Sequence, residues 1–134
     1  MFERLQTVRF GHCDPAGIVF YPRYFEMLNS FVEDWFRDGV GLPFEDLLQK
    51  RKLGMPTVSL KSEFHEVSRF GEVLALRLYL VRVGSSSMTL TVHFDGLDKR
   101  RATFEQVLVC TDLETHVSRP FPDDLRAALE QQLS

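Results

Sequence analysis

The chain has 134 residues, a net charge of −3 and a composition that is 44% hydrophobic and 26% charged. These values are typical of a single globular domain, here residues 1–134, and they exclude a disordered or low-complexity chain. There is no basic stripe to neutralise nucleic-acid phosphates, and no run approaches the roughly 18 apolar residues of a membrane span. Histidine and cysteine spacings indicate no metal site, so we expect no nucleic acid, no membrane and no metal.

The cysteines and the first ten residues bear on the cellular compartment. Charged side chains at Glu3, Arg4 and Arg9 interrupt the apolar residues of the N-terminal segment, which is not the pattern of a secretory signal. Cys13 and Cys110 are far apart in the sequence and do not by themselves predict a disulfide. A reduced, cytoplasmic protein is therefore expected.

The first half of the chain predicts one short strand and one long helix. Alternation predicts a strand over Leu5–Phe10, and a loop of turn-forming residues follows over Gly11–Gly17. A helix is predicted from Pro22 to about Arg37, with Gly39 ending it. Its apolar face is wide enough to predict burial and consists of Tyr24, Met27, Leu28, Phe31 and Trp35.

The second half of the chain predicts mainly antiparallel strands. A short helix over Pro43–Lys50 precedes four predicted strands, and a short helix ends the chain. The strands are Thr57–Val67, Val73–Val83, Met88–Phe94 and Ala102–Thr111, a hairpin loop lies at Gly84–Ser86, and the last helix covers Phe121–Leu133. This order predicts an α+β fold in which one antiparallel sheet wraps around one long helix.

The loop before the long helix holds the strongest candidate for chemistry. Pro15 favours an extended backbone at Asp14, which lies between a strand and an apolar segment at the helix N-terminus. Reduced hydration would raise the basicity of this carboxylate, and a helix with no capping side chain offers free N–H groups to an oxyanion. An Asp before a Pro is also typical of an ordinary turn, and both interpretations are open at this point.

A longer motif contains this loop. The segment Val8–Glu26, VRFGHCDPAGIVFYPRYFE, resembles the signature of the 4-hydroxybenzoyl-CoA thioesterase family. The resemblance implies the hotdog fold and hydrolysis of acyl-coenzyme A thioesters. It also implies that Asp14 attacks the thioester carbonyl or activates a water, while the backbone N–H of Tyr21 polarises that carbonyl. Coenzyme A is then part of the substrate, and no separate cofactor is expected.

Several further residues are candidate contacts for the acyl group. Asn29 lies on the helix flank, where a polar side chain can face a substituent on an aromatic acyl group, although an ordinary flank residue is the simpler interpretation. Ser59 lies on the first long strand, on a face that also fits plain solvent exposure. The remaining candidates lie within the motif and are His12, Gly17, Phe20 and Tyr24.

The phosphates of coenzyme A require cationic contacts. Related thioesterases often carry Arg or Lys near the hairpin between the two long central strands, where this chain has only Arg82. The next turn contains Lys99, Arg100 and Arg101, which are the remaining candidates. A solvated turn explains this cluster equally well.

These observations favour an acyl-CoA thioesterase acting on a benzoyl-like or short acyl group. Two alternatives stay open: a non-catalytic module that binds acyl-CoA or a protein, and a hydratase or dehydratase acting on an acyl carrier. Twelve phenylalanines are many for one small core. Together with the resemblance they predict a homo-oligomer, a dimer or a dimer of dimers (homotetramer), with Phe20 and Tyr24 in an acyl pocket shared between chains.

Overall fold

The protein is described by a computed structural model of residues 1–134. A five-stranded antiparallel sheet with strand order β1-β4-β5-β6-β3 packs against the long helix α1, as the sequence predicts. The strands are β1 (Phe2–Thr7), β2 (Leu53–Gly54), β3 (Thr57–Phe64), β4 (Val73–Val83), β5 (Ser87–Asp95), β6 (Arg100–Val109) and β7 (Thr111–Asp112). The helices are α1 (Pro22–Asp34) and α2 (Asp123–Gln131), and β2 pairs with β7 apart from the main sheet.

The core lies between α1 and one face of the sheet. Alternate residues of the two central strands are buried, and they are Leu74, Leu76, Leu78 and Leu80 of β4 with Met88, Leu90, Val92 and Phe94 of β5. Every residue of the predicted apolar helix face is also buried. The alternation of period two and the helical spacing therefore correctly predict which faces meet.

Three strands differ from their predicted bounds by two residues or more, while β4 matches and β5 is one residue longer at each end. β1 ends before Phe10, because Val8 bonds to Gly71 and Glu72 and the chain then forms a helical turn over Phe10–His12. β3 ends at Phe64, three residues early. β6 is shifted towards the N-terminus by about two residues, and the predicted final position, Thr111, belongs to β7 instead.

The C-terminal end of α1 does not stop at Gly39. Wider helical turns continue over Trp35–Val40, and the helix ends at Gly41, which has a left-handed φ of 82°. Gly39 has a packing role, because a Cβ there would lie 2.7 Å from Cδ1 of Trp35. The prediction of a glycine stop was thus right in kind and wrong by two residues.

The phenylalanines divide between the core and the surface. Five are buried, three are partly buried against the core, and Phe10, Phe20, Phe64 and Phe70 are exposed. β3 is an edge strand of the sheet, and it leaves Val58, Leu60 and Phe64 accessible to solvent. No helix of the chain has the length and apolar character needed to span a membrane.

Candidate active site

Asp14 lies in a small hairpin that leads from β1 into α1. Cys13 pairs with Val19 across this hairpin, and the Asp14 N–H donates to the carbonyl of Ile18 at 3.0 Å. Gly17 has a φ of +76°, a left-handed conformation that glycine adopts without strain. We call residues 12–20 the Asp14 hairpin.

The Asp14 side chain has a turn role and still keeps a free oxygen. Its Oδ1 accepts a hydrogen bond from the Ala16 N–H at 2.9 Å, which is an Asx turn. Its Oδ2 has no hydrogen-bond partner in the chain, and the residue is half-buried. The turn interpretation and the chemical one are therefore compatible.

The N-terminus of α1 follows the hairpin directly. No side chain caps this helix, Pro22 has no N–H, and the Tyr21 N–H donates to no acceptor in the chain. Negative charge is stabilised at such a helix end by unpaired N–H groups and by the helix dipole. The helix therefore offers a donor for a developing oxyanion close in sequence to a carboxylate.

A loop before β4 holds the Asp14 hairpin against the helix. The Val19 N–H donates to the Ser68 carbonyl at 2.9 Å, and the Phe70 N–H donates to the Gly17 carbonyl at 3.0 Å. The Tyr24 hydroxyl donates to Oγ of the fully buried Ser68 at 2.8 Å, and burial raises the pKa of Tyr24. Tyr24 is thus anchored at its hydroxyl.

A cleft of about 450 Å³ opens beside the N-terminus of α1. Its apolar lining residues are Val19, Tyr21, Tyr24, Phe64 and Val67. The ring of Phe64 stacks on Tyr24 at a centroid distance of 5.6 Å and meets Tyr21 edge-on at 6.3 Å. Rings in this arrangement give a flat, apolar ligand both area and favourable edge and face contacts.

His12 and Phe20 lie at the margin of this site. The Arg9 N–H donates to Nδ1 of His12 at 2.9 Å, so the neutral ring carries its proton on Nε2. Burial, with a further contribution from the Arg9 charge, lowers the pKa of His12. Phe20 is 47% exposed and packs against Tyr21 at 5.6 Å, outside the lining of the cleft.

Asn29 and Ser59 are not brought to the cleft within one chain. Asn29 is on the exposed side of α1, away from the buried helix face. Ser59 is five residues from Phe64 on β3, so the two side chains point to opposite faces of the sheet. Because Phe64 faces the helix, Ser59 lies on the outer face and, contrary to expectation, does not line the cleft of its own chain.

The predicted cations divide between the two ends of the sheet. Arg82 is nine residues beyond Val73 on β4, about 30 Å at the rise of an extended strand, and is exposed. Lys99 and Arg100 lie at the same end as the Asp14 hairpin, where they meet Glu66 at 3.6 Å and Asp95 at 2.8 Å.

Arg101 does not fit the expected role in phosphate binding. Only 6% of the residue is exposed, and its guanidinium donates to both carboxylate oxygens of Glu72, at 3.0 and 2.9 Å. It also donates to the Val67 carbonyl at 2.9 Å. Since its donors are used inside the chain, we remove Arg101 from the candidate phosphate contacts.

Comparison with known proteins places this geometry in a family. The sequence model of the thioesterase-like superfamily matches residues 8–129. The chain belongs to this superfamily. The match includes the Asp14 hairpin, α1 and the whole sheet except β1.

Named relatives of this thioesterase-superfamily protein agree with that assignment. It is 33% identical over 73 residues to a 4-hydroxybenzoyl-CoA thioesterase of Pseudomonas sp. (strain CBS-3), a match that spans 53% of this chain and 51% of that protein. It is 22% identical over 133 residues to a 1,4-dihydroxy-2-naphthoyl-CoA hydrolase of Prochlorococcus marinus, covering 93% and 86% of the two chains. A solved gentisyl-coenzyme A thioesterase superposes with a TM-score of 0.84 at 26% identity, covering 93% and 99%.

Membership confirms the hotdog fold and identifies the protein as an enzyme of the thioester-hydrolase class.

Three features of this thioesterase were missed from the sequence: the central place of Phe64 among the rings, the buried Ser68, and the pairing of Glu72 with Arg101. Strand alternation could have placed Phe64 on the inner face. No local pattern indicates the other two, because their partners lie 44 and 29 residues away in the sequence.

Proposed function

We propose that this thioesterase hydrolyses an acyl-coenzyme A with an aromatic acyl group, using Asp14 as nucleophile or general base. The observation that carries the proposal is the pairing of two unused groups in one short segment. Oδ2 of Asp14 has no partner, and the Tyr21 N–H at the start of α1 has no acceptor. A carboxylate and an oxyanion donor are the minimum that acyl transfer requires.

The reaction can follow two balanced routes. In the first, an Asp14 oxygen bonds to the thioester carbonyl carbon, the C–S bond breaks, and coenzyme A leaves as thiolate, so that water must then hydrolyse the mixed anhydride. In the second, Asp14 takes a proton from a water that attacks the same carbon; the C–S bond then breaks, coenzyme A leaves as thiolate, and Asp14 passes the proton to the thiolate or to solvent. In both, the Tyr21 N–H bonds the carbonyl oxygen as negative charge develops on it. The thiolate is a good leaving group, so neither route requires a strong general acid.

An aromatic acyl group is supported by the cleft and by the relatives. The cleft beside Tyr21 is walled by the stacked and edge-on rings of Tyr24 and Phe64. The three relatives reported above are named for hydroxybenzoyl, dihydroxynaphthoyl and gentisyl thioesters. Apolar walls alone discriminate weakly between acyl groups, because one methylene is worth only about 1–3 kcal/mol.

A homo-oligomer is part of the proposal, as a dimer or a dimer of dimers. The lining of the cleft includes Tyr21 and Phe64 but not Asp14, and Phe64 belongs to the exposed edge strand β3. A second copy paired at this edge would close the cleft and bury the exposed apolar residues of β3. Sedimentation at micromolar concentration should therefore show a species heavier than the 15.5 kDa chain, and a monomer would contradict this.

Lys99 and Arg100 are the proposed contacts of the coenzyme A phosphates within one chain. Both are exposed and lie at the same end of the sheet as the Asp14 hairpin, although each also meets a carboxylate. Arg82 lies at the opposite end and would reach the nucleotide only from a second copy. Phosphate contacts of this kind are expected to weaken as ionic strength rises.

Hydrolysis across a panel of thioesters tests the proposal. Free thiol is measured with a trapping dye for benzoyl-CoA, 4-hydroxybenzoyl-CoA, acetyl-CoA and butyryl-CoA. We expect the highest kcat/KM for the two aromatic thioesters. Saturable binding without release of thiol would support a binding module instead. Addition of water to an enoyl thioester, with the thioester left intact, would support a hydratase.

A further inference from the structure

The loop of residues 67–72, which we call the bracing loop, makes contact with both halves of the candidate site. It bonds to the Asp14 hairpin through Val19 and Gly17, as described above. It bonds to α1 through the Ser68 hydroxyl, which accepts from Tyr24. The bracing loop is therefore the part of the chain that sets the hairpin and the helix relative to each other.

Arg101 of β6 holds the bracing loop at both of its ends. Its guanidinium donates to the Val67 carbonyl at one end and to the Glu72 carboxylate at the other. The remaining polar contacts of this guanidinium are longer, at 3.3 Å to the Lys99 carbonyl and 3.5 Å to Asp98. Glu72 in turn accepts from the Arg69 N–H within the loop.

This contact is tightly packed as well as charged. The guanidinium lies against Gly96, where an added Cβ would come within 2.3 Å of Nη2 of Arg101. Only 7% of the Arg101 side chain is exposed, against 34% for Glu72. A bidentate pair of this kind fixes orientation as well as distance, which a single lysine contact does not.

We propose that Arg101 and Glu72 are positioning residues for thioester hydrolysis, acting through the bracing loop on Asp14 and the Tyr21 N–H. Neither residue touches the substrate in this proposal. The predicted effect on rate rests on the proposed function, because it is measured as thioester hydrolysis. The reason for an effect on rate is geometric: a displacement of about 1 Å at a reacting group can cost about 100-fold in rate. A loosened bracing loop would let the hairpin move relative to the helix N-terminus.

The chain offers a matched control for the ion pair. Arg51 and Asp124 form another bidentate pair, at 2.7 and 2.8 Å, which joins α2 to the segment before β2. This pair contacts neither the bracing loop nor the Asp14 hairpin. Its disruption should affect stability alone.

The kinetic test compares Glu72→Gln with Asp124→Asn, at a temperature where circular dichroism shows both variants folded. We expect Glu72→Gln to lower kcat for benzoyl-CoA about tenfold to hundredfold, with KM changed less than about threefold. Asp124→Asn should leave both constants unchanged. Arg101→Lys keeps the charge and loses the bidentate contact, so it should give an intermediate kcat. It replaces Glu72→Gln as the test variant if Glu72→Gln does not fold. A parent-like kcat in Glu72→Gln would overturn the proposal.

A second measurement needs no substrate. Amide hydrogen exchange at Val19 and Phe70, the two N–H groups that join the hairpin to the bracing loop, should become about tenfold faster in Glu72→Gln and stay unchanged in Asp124→Asn. Unchanged exchange in Glu72→Gln would overturn the bracing role. If the parent enzyme releases no thiol from any thioester, the proposed function fails, while this exchange measurement still reports on the ion pair.

Discussion

The two ends of α1 are built in opposite ways. At the C-terminal end, Trp35 and Phe36 are 1% and 0% exposed, Gly39 lets the chain approach the indole, and Gly41 ends the helix. At the N-terminal end, Tyr21 is 59% exposed and its N–H has no acceptor in the chain. The closed end supplies packing, and the open end supplies a polar group and an apolar cleft for a ligand.

The two ends differ in how many of their polar groups are hydrogen-bonded within the chain. A peptide N–H without a partner is unfavourable unless water or a ligand bonds to it. At the C-terminal end the groups left over are carbonyls instead, and the wider turns pair the Phe36 carbonyl with the Gly41 and Leu42 N–H groups. At the N-terminal end the Tyr21 N–H has no acceptor within the chain, and Asp14, seven residues earlier, keeps a free carboxylate oxygen.

The largest expected effect belongs to Asp14→Asn at the open end. Asn retains the Oδ1 acceptor of the Asx turn and removes the charge, so kcat should fall about 100-fold to 10,000-fold with little change in melting temperature. Asp112→Asn is the matched control, because Asp112 also accepts backbone N–H bonds through Oδ1, from Glu114 at 2.8 Å and Thr115 at 3.1 Å. If Asp14→Asn hydrolyses thioesters as fast as the parent, the assignment of Asp14 is wrong.

Gly39→Ala, at the closed C-terminal end of the helix, should lower stability and leave kcat unchanged, the reverse of Asp14→Asn. The new methyl group would meet the buried Trp35 ring, so we expect a loss of about 1–3 kcal/mol in the free energy of unfolding and an unchanged kcat at low temperature. Gly11→Ala is the control, since an added Cβ there meets nothing within 4 Å. Urea unfolding measures both variants. Equal stability of the two would show that the helix end tolerates repacking.

A smaller effect is expected from Phe64→Leu in the cleft. Leucine keeps an apolar wall and removes the ring that an aromatic acyl group would contact; such a contact is worth about 0.5–1.5 kcal/mol, so KM for benzoyl-CoA should rise about twofold to tenfold. KM for butyryl-CoA should change less. Phe10→Leu is the control, because Phe10 lies outside both the Asp14 hairpin and the bracing loop and its exposed ring meets Phe70 at 6.0 Å. An equal rise for both thioesters would contradict an aromatic acyl site.

The smallest effect concerns acid stability. Hydrogen bonds from Arg101 are the main cause that lowers the pKa of Glu72 below its ordinary value of 4.5. A lowered carboxyl pKa stabilises the fold above the unfolded-state value, and this contribution is lost as pH falls through the lower folded-state value. The stability difference between the parent and Glu72→Gln should therefore shrink as pH falls below about 4.5. A difference that stays constant down to pH 3 would show that the charge of Glu72 is not what stabilises this contact.

Patterns within one element predicted much of this fold correctly. The spacing of Tyr24, Phe31 and Trp35 predicted the buried face of α1, and alternation predicted the buried rows of β4 and β5. These patterns succeed because side-chain direction is fixed by local geometry, at 3.6 residues per turn in a helix and two per repeat in a strand. The Asp14 motif was found by resemblance, because its spacing alone fits an ordinary turn.

Only the error at Arg101 depends on a partner that is distant in the sequence. In the sequence Arg101 is one of three adjacent cationic residues, and its ion pair with Glu72 forms only in the folded chain. Ser59 was a candidate for the pocket, although alternation puts it opposite Leu60 and Phe64, the apolar row of β3, and so favours an outward position. Gly39 was predicted to end the helix, but Gly41 has the left-handed backbone that ends it. Gly39 is small because a Cβ there would meet the Trp35 ring.

The exposed edge at β3 also affects how the protein should be handled. Its outward row of backbone N–H and C=O groups is unpaired, and Val58 and Leu60 beside it are 60% and 38% exposed. Such an edge is a template for any extended segment, including one from an unfolded neighbour. Fast synthesis at high chain concentration would therefore favour aggregation at the strand where the proposed second copy adds, so slow expression at low temperature should give the better yield.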